Sequence, residues 1–132
     1  MRPEVGIMKQ ESSIKSFTDL TTWQKGHELV IRIYKMTANF PSAEHFGLVS
    51  QMRRAAVSIT SNIAEGFSRD SYADKKHFYI MAHGSLTELQ NQLLISRDVD
   101  LIQPDMFDNI AEMTVAVHKM LTGLIKSTKL KA

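Results

Sequence analysis

The sequence predicts an all-α protein, an up-down-up-down antiparallel four-helix bundle. Four long segments carry apolar residues at alternating spacings of three and four, which is the period of a helix. The breaks between them are short and contain Pro, Gly or Ser. β-Hairpin signals, such as an Asn-Gly turn between alternating apolar residues, do not occur. Because the connections are short, we expect consecutive helices to be antiparallel neighbours.

The first segment, about residues 18–39, is predicted to begin at Thr18 as N-cap and to end before Pro41. His27 falls on its expected core face, where we interpret it as a hydrogen-bonded core imidazole. This face also contains Leu20, Trp23, Val30, Tyr34 and Thr37.

The second segment, about 44–67, and the third, about 71–99, are separated by the break Phe67-Ser-Arg-Asp-Ser71. Ser71 is the predicted N-cap of the third helix, with Asp74 placed for a capping-box-like arrangement. The expected core residues are Leu48, Met52, Ala55, Ala56, Ile59, Ile63 and Phe67 in the second, and Tyr72, Tyr79, Ala82, Leu86, Leu89 and Leu93 in the third.

The fourth segment, about 105–126, starts after Pro104, and acidic residues near its start and lysines toward its end suit the helix dipole. Its expected core face contains Phe107, Ile110, Thr114, Val117, Leu121 and Leu124. We therefore predict a bundle over residues 17–126. Residues 1–16 are predicted to be a flexible N-terminal arm, and 127–132 a frayed C-terminal tail.

Composition excludes several classes of site. The 132 residues include no cysteine, which excludes disulfide scaffolds, thiolate zinc sites, iron–sulfur clusters and cysteine nucleophiles. Sixteen basic and fourteen acidic residues give a net charge of +2, which permits a nucleic-acid partner without indicating one. No signal peptide is recognised and the apolar runs are short, so we expect a cytoplasmic protein that binds no membrane.

Motifs of catalysis and metal binding do not occur. A di-iron bundle needs repeated Glu-x-x-His motifs, and the sequence has none. Gly-x-Ser-x-Gly and phosphate-binding glycine loops are also missing. Arg69 and His77 are too far apart to match the Arg/His pair of some small helical ribonucleases. We expect no catalytic residue, no cofactor and no metal, and therefore a protein that is not an enzyme.

A second stripe runs along the two middle helices, opposite their core faces. Small and hydrogen-bonding residues are poor helix formers, so their recurrence there favours close contact with another helix over an ordinary polar surface. Whether Asn62 and Glu65 act within one chain or between subunits stays open. The candidate oligomer-interface or polar-network residues are Gln51, Arg54, Ser58, Ser61, Asn62, Glu65, Met81, Gly84, Glu88 and Ile95.

Basic residues cluster around the second helix and the turn that follows it. They could neutralise phosphates, although acidic residues in the same region also fit a solvated surface. Few aromatic residues are near them in sequence, so we do not expect stacking on unpaired bases. The candidate nucleic-acid-binding residues are Arg53, Arg54, Arg69, Lys75 and Lys76.

The amino-acid sequence of the second helix resembles a known family signature. The stretch is Gln51-Met-Arg-Arg-Ala-Ala-Val-Ser-Ile-Thr-Ser-Asn-Ile-Ala-Glu-Gly66. With Leu20-x-x-Trp23-Gln-Lys, Phe40-Pro41, Phe46-Gly47-Leu48 and Gly84-Ser-Leu-Thr-Glu-Leu89, it is similar to the 23S ribosomal RNA intervening-sequence proteins over about residues 17–126. More distantly, the chain resembles the accessory proteins of diversity-generating retroelements.

This resemblance implies a four-helix bundle that assembles as a cyclic homopentamer, with no catalytic residue. The retroelement relatives imply nucleic acid and a reverse transcriptase as possible partners. We expect a non-enzymatic homo-oligomer associated with RNA or DNA through the backbone; the alternative is a protein-interaction scaffold ring that binds no nucleic acid. Five copies at +2 each carry about +10, which lets a weak patch act collectively.

Overall fold

A computed structural model describes residues 14–131 of the chain. This part contains four α-helices and no β-strand: α1 (Thr21–Thr37), α2 (Ser50–Ser68), α3 (Tyr72–Asp98) and α4 (Pro104–Lys131). The predicted all-α, four-helix fold is therefore confirmed. Most of the predicted N-terminal arm, residues 1–13, lies outside the described residues. The fourth helix continues to Lys131 instead of ending near 126, because Thr128 is buried and extends the packed face.

The helices pack in a closed order around one core. Helix α2 packs against α1 and α3, and α4 also packs against both, so α1 and α3 occupy opposite corners. Each helix contributes one apolar stripe, and burying these stripes together is the main stabilising term of the fold. The largest fully buried apolar side chains are Leu29, Ile33, Met52, Ile59, Ile63, Leu86, Leu89, Leu93, Ile110, Val117 and Leu121.

The predicted core faces of α2 and α4 are confirmed, and that of α1 is confirmed in part, because Val30 and Thr37 are buried. His27 and Tyr34, both expected inside, are exposed, and His27 stacks on the half-buried Trp23 with ring centroids 4.7 Å apart. The buried positions are taken by aliphatic side chains such as Leu29 and Ile33. These residues bring no polar atom that burial would leave without a partner, so they displace the imidazole and the phenol.

The entry to α1 also differs from the prediction. Thr18 is not the N-cap of a long helix; it lies in a short 3-10 turn, Phe17–Asp19, that Ser16 caps, and α1 begins only at Thr21. The Asp19 carboxylate accepts hydrogen bonds from the backbone N–H groups of Lys15 and Ser16, at 3.0 and 3.2 Å. Residues 15 and 16, which the sequence assigned to the arm, are thus bonded to the start of the bundle.

The connection between α1 and α2 breaks the predicted second segment. A 3-10 turn, Ser42–Glu44, leads into a π-helical turn, His45–Val49, in which Gly47 leaves helical geometry at φ −115° and ψ −107°. Helix α2 therefore starts at Ser50, later than the predicted residue 44. The kink at Gly47 leaves the neighbouring Phe46 fully exposed.

The start of α3 agrees with the sequence in its cap and differs in its first aromatic residue. Ser71 Oγ accepts a hydrogen bond from the Asp74 backbone N–H at 3.1 Å, which confirms Ser71 as the N-cap. Tyr72 was expected in the core and is exposed, because the buried face begins about two turns later, at Tyr79. Among the described residues, no helix combines the length and apolar character that crossing a membrane requires.

Candidate functional site

The candidate phosphate-binding residues lie at the two ends of α2. Arg53 and Arg54 are in its first turns, whereas Arg69, Lys75 and Lys76 follow its last residue. A helix rises 1.5 Å per residue, so Arg54 and Arg69 are separated by about 22 Å. The basic residues around α2 and the following turn are therefore divided between the two ends of the helix, because residues close in sequence are spread along a rigid rod.

Arg53 is bound to the end of α1. Its Nε donates to Thr37 Oγ1 at 2.9 Å, and its Nη2 donates to the Tyr34 carbonyl at 3.3 Å. The guanidinium carbon also lies 4.5 Å from the centroid of the Tyr34 ring. A cation in contact with the last carbonyls of a helix opposes the negative end of the helix dipole. Arg53 therefore has a structural role, and a phosphate would have to bind a guanidinium that already makes these contacts.

Lys75 plays the same part at the end of α2. Its Nζ donates to the Phe67 carbonyl at 2.7 Å and, at 3.4 Å, to that of Gly66. Arg69 forms an ion pair with Glu65 at 2.7 Å and lies 4.6 Å above the Phe78 ring. Both cations thus form contacts within the chain, and these contacts leave fewer of their N–H donors for a partner.

Arg54 and Lys76 differ from the other three. Arg54 is exposed and Lys76 is half-buried, and neither makes a hydrogen bond or ion pair with another described residue. Of the five candidates, these two present an uncommitted charge to a phosphate.

The second stripe predicted on α3 faces outward along its whole length. Met81, Gly84, Glu88, Asn91 and Ile95 are all exposed. A Cβ added at Gly84 would have no atom within 4 Å, so packing within this chain does not require a glycine there.

The stripe predicted on α2 combines outward residues with an internal polar network. Ser58 Oγ lies 2.7 Å from Ser85 Oγ of α3, and Asn62 Nδ2 donates to the Ser58 carbonyl at 2.9 Å and to its hydroxyl at 3.1 Å. Asn62 thus bonds within the chain, as does Glu65 through Arg69. Gln51, Arg54 and Ser61 remain exposed, and Glu88 on α3 accepts a hydrogen bond from Gln92 of the same helix.

An open groove of about 580 Å³ lies beside the arginines at the start of α2. Its walls include Tyr34 from α1 and Phe46 from the π-helical turn, together with Arg53 and Arg54. Helical periodicity does not indicate this aromatic lining, because it places Tyr34 in the core and Phe46 within the second helix. The one available signal was Gly47, which can break a helix and expose its neighbour.

The titratable groups with altered pKa values lie outside this groove. Burial raises the pKa of Tyr79 to about 12. A hydrogen bond from Arg97 lowers the pKa of the exposed Asp98 carboxyl. His83 Nε2 and His118 Nδ1 approach to 3.0 Å across α3 and α4, but within the described residues no three potential metal ligands come together.

Comparison with known proteins agrees with the fold. A crystal structure of a protein of unknown function from the S23 ribosomal protein family of Bacteroides thetaiotaomicron matches with a TM-score of 0.73 and 25% identity, over 80% of this chain and 99% of that chain. No curated protein sequence matches the chain. The family model described as 23S rRNA-intervening sequence protein matches residues 18–123, and the chain therefore belongs to that family.

Proposed function

We propose that this protein is a non-enzymatic, cytoplasmic four-helix bundle, up-down-up-down in topology, that forms a cyclic homopentamer and associates with RNA or DNA. The observation that carries the assembly is the outward face of α3. Ile80, Met81, Leu94 and Ile95 are each between 42% and 50% exposed on this one helix, with Gly84 between them. Apolar side chains grouped on an outward helix face mark an interaction surface, and a small residue lets another helix approach.

The short connections support the proposed topology. Three residues separate α2 from α3 and five separate α3 from α4, and α1 packs against α4 as well as α2. Short links cannot carry the chain back along a helix, so successive helices run in opposite directions. The pentamer number comes from the family resemblance, which the matched family model supports.

Nucleic-acid association is supported by the uncommitted charges of Arg54 and Lys76 and by the family description, which refers to 23S rRNA. A ring repeats each of these charges in every subunit. Several weak phosphate contacts then act together, and the resulting affinity falls steeply with salt.

The absence of catalysis is part of the proposal. Active sites concentrate groups with perturbed pKa values in clefts. Among the described residues, the groups with shifted pKa values are the buried Tyr79 and the surface pair Arg97–Asp98. None of these residues lines the groove at Arg54.

A second candidate function is a protein-interaction scaffold that binds no nucleic acid. The exposed apolar face of α3 favours it, because the same surface fits another protein, such as a reverse transcriptase, as well as a second subunit. The two functions differ in their response to salt.

Assembly is tested by sedimentation velocity of the wild type and of Met81→Glu/Ile95→Glu. We expect the wild type to sediment at five times the monomer mass and the double variant to dissociate, because two charges are then desolvated in the contact. Val115→Glu, at an exposed apolar position of α4, is the matched control and should leave the assembly intact. A wild type that is monomeric at micromolar concentration contradicts the proposed ring.

Nucleic-acid association is tested by gel shift with structured RNA and duplex DNA at rising salt. We expect binding at low salt, and we expect Arg54→Ala and Lys76→Ala each to reduce the slope of log K against log salt by about one. Lys119→Ala, an exposed lysine of α4, is the control and should bind like the wild type. No binding at low salt favours the scaffold.

A further inference from the structure

The groove beside Arg54 combines two features that nucleotides recognise. Phe46 is 100% exposed at the kink before α2, and Tyr34 is 41% exposed on α1. Arg53 and Arg54 line the same groove, and its lining includes no carboxylate side chain. Aromatic faces and uncompensated positive charge therefore share one open surface.

Each feature has its own chemistry. Aromatic side chains stack on nucleobases with little sequence preference, and arginines bind phosphates through a planar fork of N–H donors. Arg53 is fixed over the Tyr34 ring by its hydrogen bonds to Thr37 and to the Tyr34 carbonyl, so its position is set before any ligand arrives. Arg54 has no partner among the described residues and keeps its donors available.

The form of nucleic acid follows from the aromatic residues. In a duplex the base faces are stacked on one another, whereas unpaired nucleotides present them to a protein. We propose that this groove binds an unpaired stretch of RNA or single-stranded DNA, with Phe46 stacked on a base and Arg54 in contact with the adjoining phosphate. This inference rests on the proposed nucleic-acid association and identifies the site and the strand state.

The groove and the outward face of α3 are different surfaces of the chain. The groove is lined by residues of α1, the π-helical turn and α2, and α1 lies at the corner of the bundle opposite α3. In a cyclic ring the α3 face of one subunit contacts a different surface of its neighbour, so the sedimentation measurement below includes the case in which that surface is the groove.

The test measures fluorescence anisotropy of a labelled unstructured oligouridine and, in parallel, of a duplex RNA of equal length. We expect Phe46→Ala to weaken binding of the single strand about 10-fold and to leave duplex binding within about 2-fold, because stacking is lost and backbone contacts remain. Phe46→Trp should restore single-strand binding. Tyr72→Ala, an exposed aromatic residue at the start of α3, is the matched control and should not change it.

Arg54→Ala should weaken single-strand binding and reduce its salt slope by about one. Arg53 is not used as a test position, because its removal also breaks contacts between α1 and α2. Circular dichroism should show wild-type folding of Phe46→Ala, since a fully exposed side chain supports no core contact.

The outcomes separate this inference from the proposed function. Equal single-strand affinity of Phe46→Ala and wild type, or wild-type binding of the duplex alone, overturns the stacking site and leaves nucleic-acid association standing. No binding of either probe at low salt overturns both. A change in sedimentation mass of Phe46→Ala shows that the groove holds a second copy of the chain, which also overturns the inference.

Discussion

Gly66 of α2 packs directly against Phe78 and Tyr79 of α3. A Cβ at this position would lie 2.6 Å from Cε1 of Tyr79 and 3.1 Å from Cβ of Phe78. Tyr79 is 2% exposed and belongs to the core, so moving its ring away from an added Cβ would disturb the packing around it. The packing of α2 on α3 therefore depends on the missing side chain of Gly66.

We predict that Gly66→Ala lowers the free energy of unfolding by about 1–2 kcal/mol, because the cost of overpacking exceeds the gain in helix propensity. Urea denaturation followed by circular dichroism measures the change. Gly123→Ala is the matched control: this glycine is exposed in α4 with no atom within 4 Å of an added Cβ, so the variant should gain up to ~1 kcal/mol. A Gly66→Ala protein as stable as the wild type contradicts the packing argument.

At the scale of the helices, the same stabilising contact occurs twice in the bundle. A basic side chain near the start of a helix binds the last carbonyls of the helix before it: Arg53 of α2 on α1, and Lys75 of α3 on α2. Helix C-termini leave carbonyls without intrahelical partners, and a cation there satisfies them and opposes the dipole. These contacts stabilise the two connections around α2.

We predict that Lys75→Met destabilises the protein by about 1 kcal/mol, because the Phe67 and Gly66 carbonyls lose a charged donor. Lys76→Met is the neighbouring control, and its stability should change by less than ~0.5 kcal/mol. Thermal or urea unfolding compares the two. Equal stability of both variants would show that the Lys75 contact contributes nothing measurable.

At the scale of the whole molecule, helix packing shields Tyr79 from water. Burial raises the pKa of its phenol from 10.0 to about 12, because the charged phenolate is disfavoured in the core. In the unfolded chain the same phenol ionises near pH 10. The folded state therefore binds more protons than the unfolded state between these two values, and stability falls as pH rises.

We predict that Tyr79 contributes its full stability below pH 10 and that roughly 3 kcal/mol is lost as pH rises from 10 through 12. Urea midpoints measured from pH 8 to pH 12 for the wild type and Tyr79→Phe give the difference. Phe cannot ionise, so the variant should lose less stability over this range. Parallel pH profiles of the two proteins would contradict the argument, since other groups titrate equally in both.

The sequence was a good guide to three of the four helices. In α2 and α4 one face is clearly apolar, and in α3 the period identifies all buried leucines, so the 3.6-residue repeat alone selects the core side. In α1 both the Trp23–His27–Tyr34 side and the Leu29–Ile33 side carry apolar groups. Periodicity could not choose between them, and packing against α2 and α4 selected the aliphatic side.

The sequence predicted which individual residues of the candidate site face outward, but it did not predict how the site residues are arranged in space. The outward position of Met81, Gly84 and Ile95 followed from their place opposite the core face of α3, and the structure places them there. The availability of each basic side chain did not follow, because the contacts of Arg53 and Lys75 join different helices.

By itself, the sequence determined the helical class, the number of helices, the cap at Ser71 and the family. These depend on local periodicity, local hydrogen bonds and short sequence motifs. Tertiary structure alone decided which cations remain free and that Tyr34, Phe46 and Arg54 share one groove. The physical reason is that side chains far apart in sequence meet only after the helices pack, and the kink at Gly47 sets where Phe46 points.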